Sequence, residues 1–190
     1  MKLTQIRTAV VFRNNPPQEN PDGNVRAVAI RDLVARKPLQ WCELPRLSLE
    51  SKYLSHCLRP GDVVLPSRGD YYQAWFFGGA EEPVFPMGQL NIITPGEGLE
   101  GRYLAWYINQ PATQAKINVM LTGTGIKALT KAALLSLDIE VPAMDRQKKI
   151  AEMDETTEKM AAIRLRLNEL DRLETSVLTS LILRQGIGHA

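Results

Sequence analysis

From Met144 to Arg184 the chain contains neither Pro nor Gly, and apolar residues return every three or four positions. Ile150, Met153, Met160, Ile163, Leu167, Leu170, Leu173, Val177 and Leu181 form one stripe, with Thr157 as its polar interruption. The mean step of about 3.4 to 3.5 residues is that of a coiled-coil seam. A helix of about 40 residues extends roughly 60 Å, more than a small domain needs to cover its own core. The stripe therefore predicts spacing or dimerisation as its task.

Upstream the pattern shortens. Residues 9–13 and 25–30 predict strands on either side of a Pro/Asn/Gly-rich turn from Asn14 to Asn24, read as a hairpin or meander. The pattern recurs as a turn, Arg59-Pro60-Gly61-Asp62, a strand, Val63-Val64-Leu65, a second turn, Ser67-Arg68-Gly69-Asp70, and a strand from Tyr72 to Phe77. Gln89 to Thr94 reads as another strand. Gly101 to Leu121 is helical and split at Pro111, with Tyr103, Leu104, Tyr107, Ile108, Ile117 and Leu121 on its inner face. After the loop Thr122-Gly123-Thr124-Gly125 come a helical turn, Lys131 to Leu135, and a strand, Leu137 to Val141, closed by Pro142. Asp145 is the expected N-cap of the long helix.

The fold class predicted is α+β. A twisted antiparallel sheet or partial barrel with packed helices fills residues 1–142, and a long coiled-coil helix fills 143–190.

Composition narrows the function classes. With 44% hydrophobic residues in 190, the chain can bury a real core. Cys42 and Cys57 are the only cysteines, so neither a disulfide framework nor a zinc site is indicated, and a reducing cytoplasmic setting is expected. The N-terminus lacks the apolar run of a signal peptide, and no stretch of eighteen apolar residues predicts a membrane span. Charge is uneven: residues 1–80 carry eleven Lys/Arg against seven Asp/Glu, and residues 143–190 eight against eight. The excess positive charge is N-terminal, which permits attraction to phosphate without demanding it.

Four segments, in order, resemble the specificity subunits of type I restriction-modification systems. They are the N-terminal strand ending in Phe12-Arg13 with the VRAVAIRDL run from Val25, the Leu58-Arg59-Pro60-Gly61-Asp62-Val63-Val64-Leu65 strand opener, the GRYLAWYINQP helix from Gly101, and TGTGIKALTKAALLSLDIEVPAMDRQKKIA from Thr122. The last combines a Gly loop, a Leu-spaced turn, a Val-Pro strand end and a helix opening with Gln147 and Lys149-Ile150-Ala151. Full-length members alternate two recognition domains with two long helices, whereas this chain has one of each, so it resembles half a subunit.

The resemblance implies a non-catalytic protein without cofactor or metal. Its head would read double-stranded DNA, and its helix would hold two heads apart in a homodimer. It would dock adenine methyltransferase subunits and, in the restriction complex, the restriction subunit. Base or phosphate contact is then expected from Arg68, Tyr71, Tyr72 and Gln73 in one turn and from Thr122, Thr124 and Lys127 in the Gly loop. Arg13 and Arg31 are further candidates; with Arg7, Arg26 and Arg36-Lys37 they could form a positive face, although an ordinary solvated surface is the simpler reading of any one of them. Tyr72 also alternates with Trp75 and Phe77 as an ordinary core strand would. Gln147 is expected to buttress the head against the helix.

Other motifs carry less. Asn15-Pro16-Pro17 resembles the Asn-Pro-Pro-aromatic motif of adenine methyltransferases, but Gln18 replaces the aromatic and no cofactor loop accompanies it. Gly123-x-Gly125-x-x-Ala128 follows a helix instead of a strand and lacks a βαβ unit. Asp32 with Glu50-Ser51-Lys52 is the kind of triplet a metal nuclease uses, yet any chain of this length supplies one by accident. His56 and His189 have no fixed acidic or nucleophilic companion in sequence. A competing reading is a coiled-coil scaffold or adaptor that binds protein instead of DNA, which would enrich no sequence from a random duplex pool. A third, a solitary nuclease or methyltransferase, would act on DNA given divalent metal or S-adenosylmethionine.

Overall fold

A computed structural model describes residues 3, 5–13, 16–34, 39–123 and 125–186. The chain divides into two units, Met1–Ala151 and Glu152–Ala190. Its elements are β1 (Gln5–Thr8), β2 (Val25–Val28), α1 (Ile30–Leu33), β3 (Arg46–Leu47), β4 (Val63–Pro66), β5 (Trp75–Phe76), β6 (Val84–Pro86), β7 (Leu90–Thr94), α2 (Gly101–Asn109), α3 (Pro111–Met120), α4 (Lys131–Ser136) and α5 (Met144–Gly186). Short 3-10 turns occupy Trp41–Glu43 and Ser51–His56. No helix among the described residues is long and apolar enough to cross a membrane.

The first unit is layered on two sheets. One has the order β1-β7-β4-β5 and is antiparallel throughout; the other has the order β3-β2-β6, with β2 and β6 parallel. Alternation along β4 and β7 explains the layers, because successive side chains leave opposite faces of a strand. Val63, Leu65 and Ile93 point to a core shared with α2, α3 and α4, while Val64, Leu90 and Ile92 join Val28 and Val84 between the sheets. Both faces of the central strands are covered, so they read as continuous apolar runs. The outer face of the second sheet buries Val25, Ala27, Leu47 and Phe85 against Phe12 and Tyr53.

Several expectations shift. The first strand lies at Gln5–Thr8, not 9–13, and pairs with β7, whereas β2 pairs with β3 and β6. The expected hairpin across Asn14–Asn24 is therefore absent, because the two strands enter different sheets. β3 and β6 were not read from sequence. Leu137 to Val141 is not a strand of either sheet, although Leu137 and Ile139 are buried in the helical core. The helix break at Pro111 holds: Gln110 is extended, as a residue before proline prefers, and Pro111 opens α3.

The turn before β4 shows why Gly-Asp-Val stands there. Gly61 takes φ +97°, and Asp62, fully buried, accepts from Arg59 N (3.0 Å), Arg7 Nη2 (3.0 Å) and Thr94 Oγ1 (2.7 Å). A buried carboxylate is tolerated only when its lone pairs are filled in this way. Gly101 packs directly above: a Cβ there would lie 2.5 Å from the Gly61 carbonyl oxygen, so α2 can start over this turn only with glycine.

Helix α5 begins at Met144, one residue before the expected cap. The Ala143 carbonyl accepts from Arg146 N and Gln147 N, and Asp145 sits inside the first turn, where its carboxylate faces the positive end of the helix dipole. Gln147, 1% exposed, donates to the Gly98 and Pro142 carbonyls (2.8 Å each) and accepts from Glu100 N (2.9 Å). Replacing Gln147 with Ala strands three backbone groups and is expected to cost about 3 kcal/mol at about 1 kcal/mol each. A urea unfolding midpoint checks it, and a midpoint unchanged from wild type would deny Gln147 this role.

Glu82 ties β2 to β3 by accepting from Arg26 and Arg46. The Arg26 hydrogen bond, then that of Arg46, holds its carboxyl below the ordinary carboxylate range, despite the opposing effect of burial. A carboxylate depressed in the folded state stabilises above its unfolded pKa, and that stabilisation disappears as pH falls through the folded value. Glu82→Gln is therefore expected to flatten the acid limb of stability against pH, read as urea midpoints at neutral and acidic pH.

Candidate nucleic-acid interface

Strand register places the C-terminal ends of β1 and β4 and the N-terminal end of β7 at one end of the first sheet, since Thr8 and Leu65 both pair with Asn91. The segments leaving that end are knitted together by backbone hydrogen bonds. Gly88 N donates to Val10 O and Ser67 N to Gln89 O (2.9 Å each). Leu129 N donates to Ser67 O (2.9 Å), Gly69 N to Lys127 O (3.2 Å), and Thr122 and Ala128 exchange both of their bonds. The turn 67–73 and the Gly loop, about fifty residues apart in sequence, thus form one composite surface.

Side chains lock this surface from below. The Tyr72 hydroxyl donates to Lys127 O (2.8 Å), Gln114 Nε2 to Tyr72 O (3.1 Å), and the buried Asn91 Nδ2 to Leu129 O (2.9 Å). Gly123 has φ +106°, and a Cβ there would meet the Ile126 carbonyl oxygen at 2.8 Å, so the loop closes on itself only with glycine. Burial, then the nearby Asp70 carboxylate, pushes the Tyr72 phenol up from its ordinary value, so it stays protonated and keeps donating.

Among the residues expected to touch DNA, Arg68, Tyr71, Gln73, Thr122 and Lys127 are exposed on the composite surface, Tyr71 at 66%. Arg68 and Lys127 have no ion-pair partner among the described residues, so both charges face solvent. Ile126, next to Lys127 in the chain and 71% exposed, adds an apolar side chain to the loop. Its neighbours Gly125 and Lys127 gave no periodicity from which to read it. Tyr72 needs correction: at 2% exposure it supports the loop from the core and presents nothing outward. Thr124 lies outside the described residues, as do Asn15, Arg36, Lys37 and His189.

Of the residues expected on a positive face, Arg7, Arg26 and Arg31 are paired with carboxylates. Arg7 donates to Asp62 and to the His56 and Cys57 carbonyls, and Arg26 is spent on Glu82 and the Leu44 carbonyl. Arg31 pairs with Glu19 (2.6 Å) and lies 3.7 Å from Asp32, so its charge is offset by two carboxylates. Arg13 is exposed, three residues beyond Val10 at the edge of the composite surface.

The nuclease-like triplet dissolves as well. Asp32 accepts from Ala29 N (2.8 Å), and Lys52 pairs with Glu50 (2.8 Å). Among the described residues no cluster of His, Cys, Asp and Glu could hold a metal ion. What the composite surface offers is a guanidinium fork, an amide, a phenol and an ammonium. These suit hydrogen bonding to base edges and phosphates.

On α5 the stripe is largely open to solvent. Met153 is 71% exposed, Ile163 60%, Leu167 53%, Leu170 46% and Leu181 50%, and Met160, Leu173 and Val177 are exposed too. Ile150 departs from the expectation, because it is half-buried against the core of its own head.

The family model described as "Type I restriction modification DNA specificity domain" matches residues 76–172. Three solved structures are similar to the chain. One is a component of a type I R-M system studied for its assembly and conformational transition (21% identity, TM-score 0.53, covering 92% of this chain and 42% of that one). The others are the type I S subunit from M. genitalium (15%, 0.52, 84% and 39%) and the HsdS subunit from Thermoanaerobacter tengcongensis (20%, 0.56, 93% and 42%). At these identities the likeness is one of fold, and the chain spans about two fifths of each structure's length. No curated protein matches the chain.

Proposed function

Because this chain belongs to the type I restriction-modification DNA specificity family, we propose that it reads a base sequence in duplex DNA for partner subunits that modify or cut it, and performs no chemistry itself. The observation that carries the reading is the composite surface. Two segments with base-reading side chains, remote in sequence, are bonded into one platform with Arg68, Tyr71, Gln73 and Lys127 outward. Phosphates would be held by Lys127, Thr122 and Arg13, and base edges read by Arg68 and Gln73 in the major groove.

The chain acts as a half-subunit. Two copies pair their α5 helices antiparallel about a two-fold axis, which covers the exposed stripe and sets two heads on one duplex. A helix of 43 residues extends about 64 Å, on the order of 19 base pairs, so the target is an interrupted palindrome. The paired helices dock adenine methyltransferase subunits, and the restriction subunit joins the assembled complex.

Selection from a random duplex pool tests the reading. The expected result is enrichment of two half-sites with a fixed spacer, bound with an affinity that falls steeply with salt. A pool recovered without any sequence preference would point to a protein-binding scaffold instead.

A further inference from the structure

We propose that a groove beside the first turns of α5 is the seat for the C-terminal tip of α5 from a second copy of the chain. The proposal rests on the antiparallel pairing above and adds to it a second contact, between tip and head. The groove has a volume of about 920 Å³ and lies between α2, α3, the 138–142 segment and Ile150. Trp106 and Tyr107 line it as half-buried aromatics, and half-buried Ile150 lines it too. Its charges balance, Lys116 and Arg146 against Asp138 and Glu140.

The tip has matching chemistry. From Asp145 to Glu174 fifteen of thirty residues are charged, whereas from Thr175 to Gly186 only Arg184 is. Leu178, Ile182 and Leu183 are 52%, 69% and 67% exposed and lie off the seam. At about 100° per residue, Leu178 and Ile182 stand about 60° and 100° round from Leu181. They form an apolar flank that one paired helix leaves in water, and a near-neutral aromatic groove is the surface that would cover it.

Register brings the two together. A two-fold axis through the middle of the Ile150–Leu181 stripe sets Leu181 of one helix level with Ile150 of the other. Ile150 is both the first residue of that stripe and one of the residues lining the groove, so the second copy's flank arrives at the groove. The charge-dense middle of α5 would bring ions against Trp106 and Tyr107 and has no such match.

Cysteine pairing in the full-length chain tests the seat, with Cys42, which is exposed, replaced by Ser throughout. Ala112, exposed where α3 opens at the groove, is changed to Cys in one protein, and Ile182 to Cys in another. The expected result on mild oxidation of the mixture is a covalent dimer containing most of the mixed species, which neither protein forms alone. A mixture of Ile163→Cys and Leu167→Cys proteins reports the helix pair separately. If that mixture cross-links and the groove mixture does not, the seat is overturned while the pairing stands. If both fail and the chain elutes as a monomer, the pairing itself fails. A chain carrying both Ala112→Cys and Ile182→Cys that closes a disulfide within itself would also overturn the seat.

Discussion

Leu167→Glu is expected to convert the proposed dimer into monomers without unfolding the head. Leu167 is 53% exposed on the chain itself, so the substitution removes little that an isolated chain buries, and the melting of the head should stay at its wild-type temperature. In a symmetric helix pair each substitution occurs twice. Losing two buried leucines costs about 4 kcal/mol at about 2 kcal/mol each, roughly a thousandfold in the dissociation constant, before the cost of desolvating two carboxylates. Leu170→Glu, 46% exposed and one turn further along, should behave alike. Light scattering at micromolar concentration reads the mass directly. A wild-type chain that is already monomeric, or a Leu167→Glu chain that remains dimeric, would remove the basis for a two-headed reader.

The second large effect concerns Arg68. A guanidinium bidentate to guanine contributes about 1–3 kcal/mol of discrimination, so Arg68→Ala should weaken binding to the selected duplex by about 5- to 150-fold per half-site and relax preference at one base pair in each. Lys127→Ala should behave differently: affinity falls for every duplex alike, and the slope of log affinity against log salt decreases by about 1 per head. Among the described residues neither side chain has a partner that its loss would strand, so melting should be unchanged for both. Competition binding with selected and scrambled duplexes separates the two behaviours. If Arg68→Ala lost the same factor on both, Arg68 would be a phosphate contact and base reading would have to come from Gln73 or Tyr71.

Much of the first unit was legible because its signals are local. Arg59-Pro60-Gly61-Asp62 declared a turn, Val63 to Leu65 and Gln89 to Thr94 declared buried strands, and Pro111 declared the helix break. Failures occurred where pairing is remote. β3 has two residues and β6 three, too short for any periodicity, and both exist because β2 offers them an edge on each side. The strand expected at 9–13 lies upstream because β7 sets the register, pairing Gln5–Thr8 and leaving Val10 only a bridge to Met87.

The site divided similarly. Gly-rich and Ser-Arg-Gly-Asp segments mark exposed loops, so Arg68, Tyr71, Gln73 and Lys127 could be singled out one by one. That Tyr72 turns inward was open in sequence, since its alternation with Trp75 and Phe77 competed with its place in a turn. The hydrogen bond to Lys127 O resolved it. Asn91, a lone amide in an apolar strand, was the available signal that something polar had to be met at Leu129. It went unread because its partner lies 38 residues away.

By itself the sequence determined the main helices, the turns and the apolar stripe of α5: a 3.4-residue period is a property of consecutive residues, as are the glycine and proline choices at the turns and at the Pro111 break. Only the tertiary structure decided which loops share a surface, which arginines are consumed by buried or bridging carboxylates, and that Ile150 belongs to the head as well as to the stripe. Those outcomes depend on contacts between residues far apart in the chain, where each group's partner, and so its availability, is set by sheet register and packing.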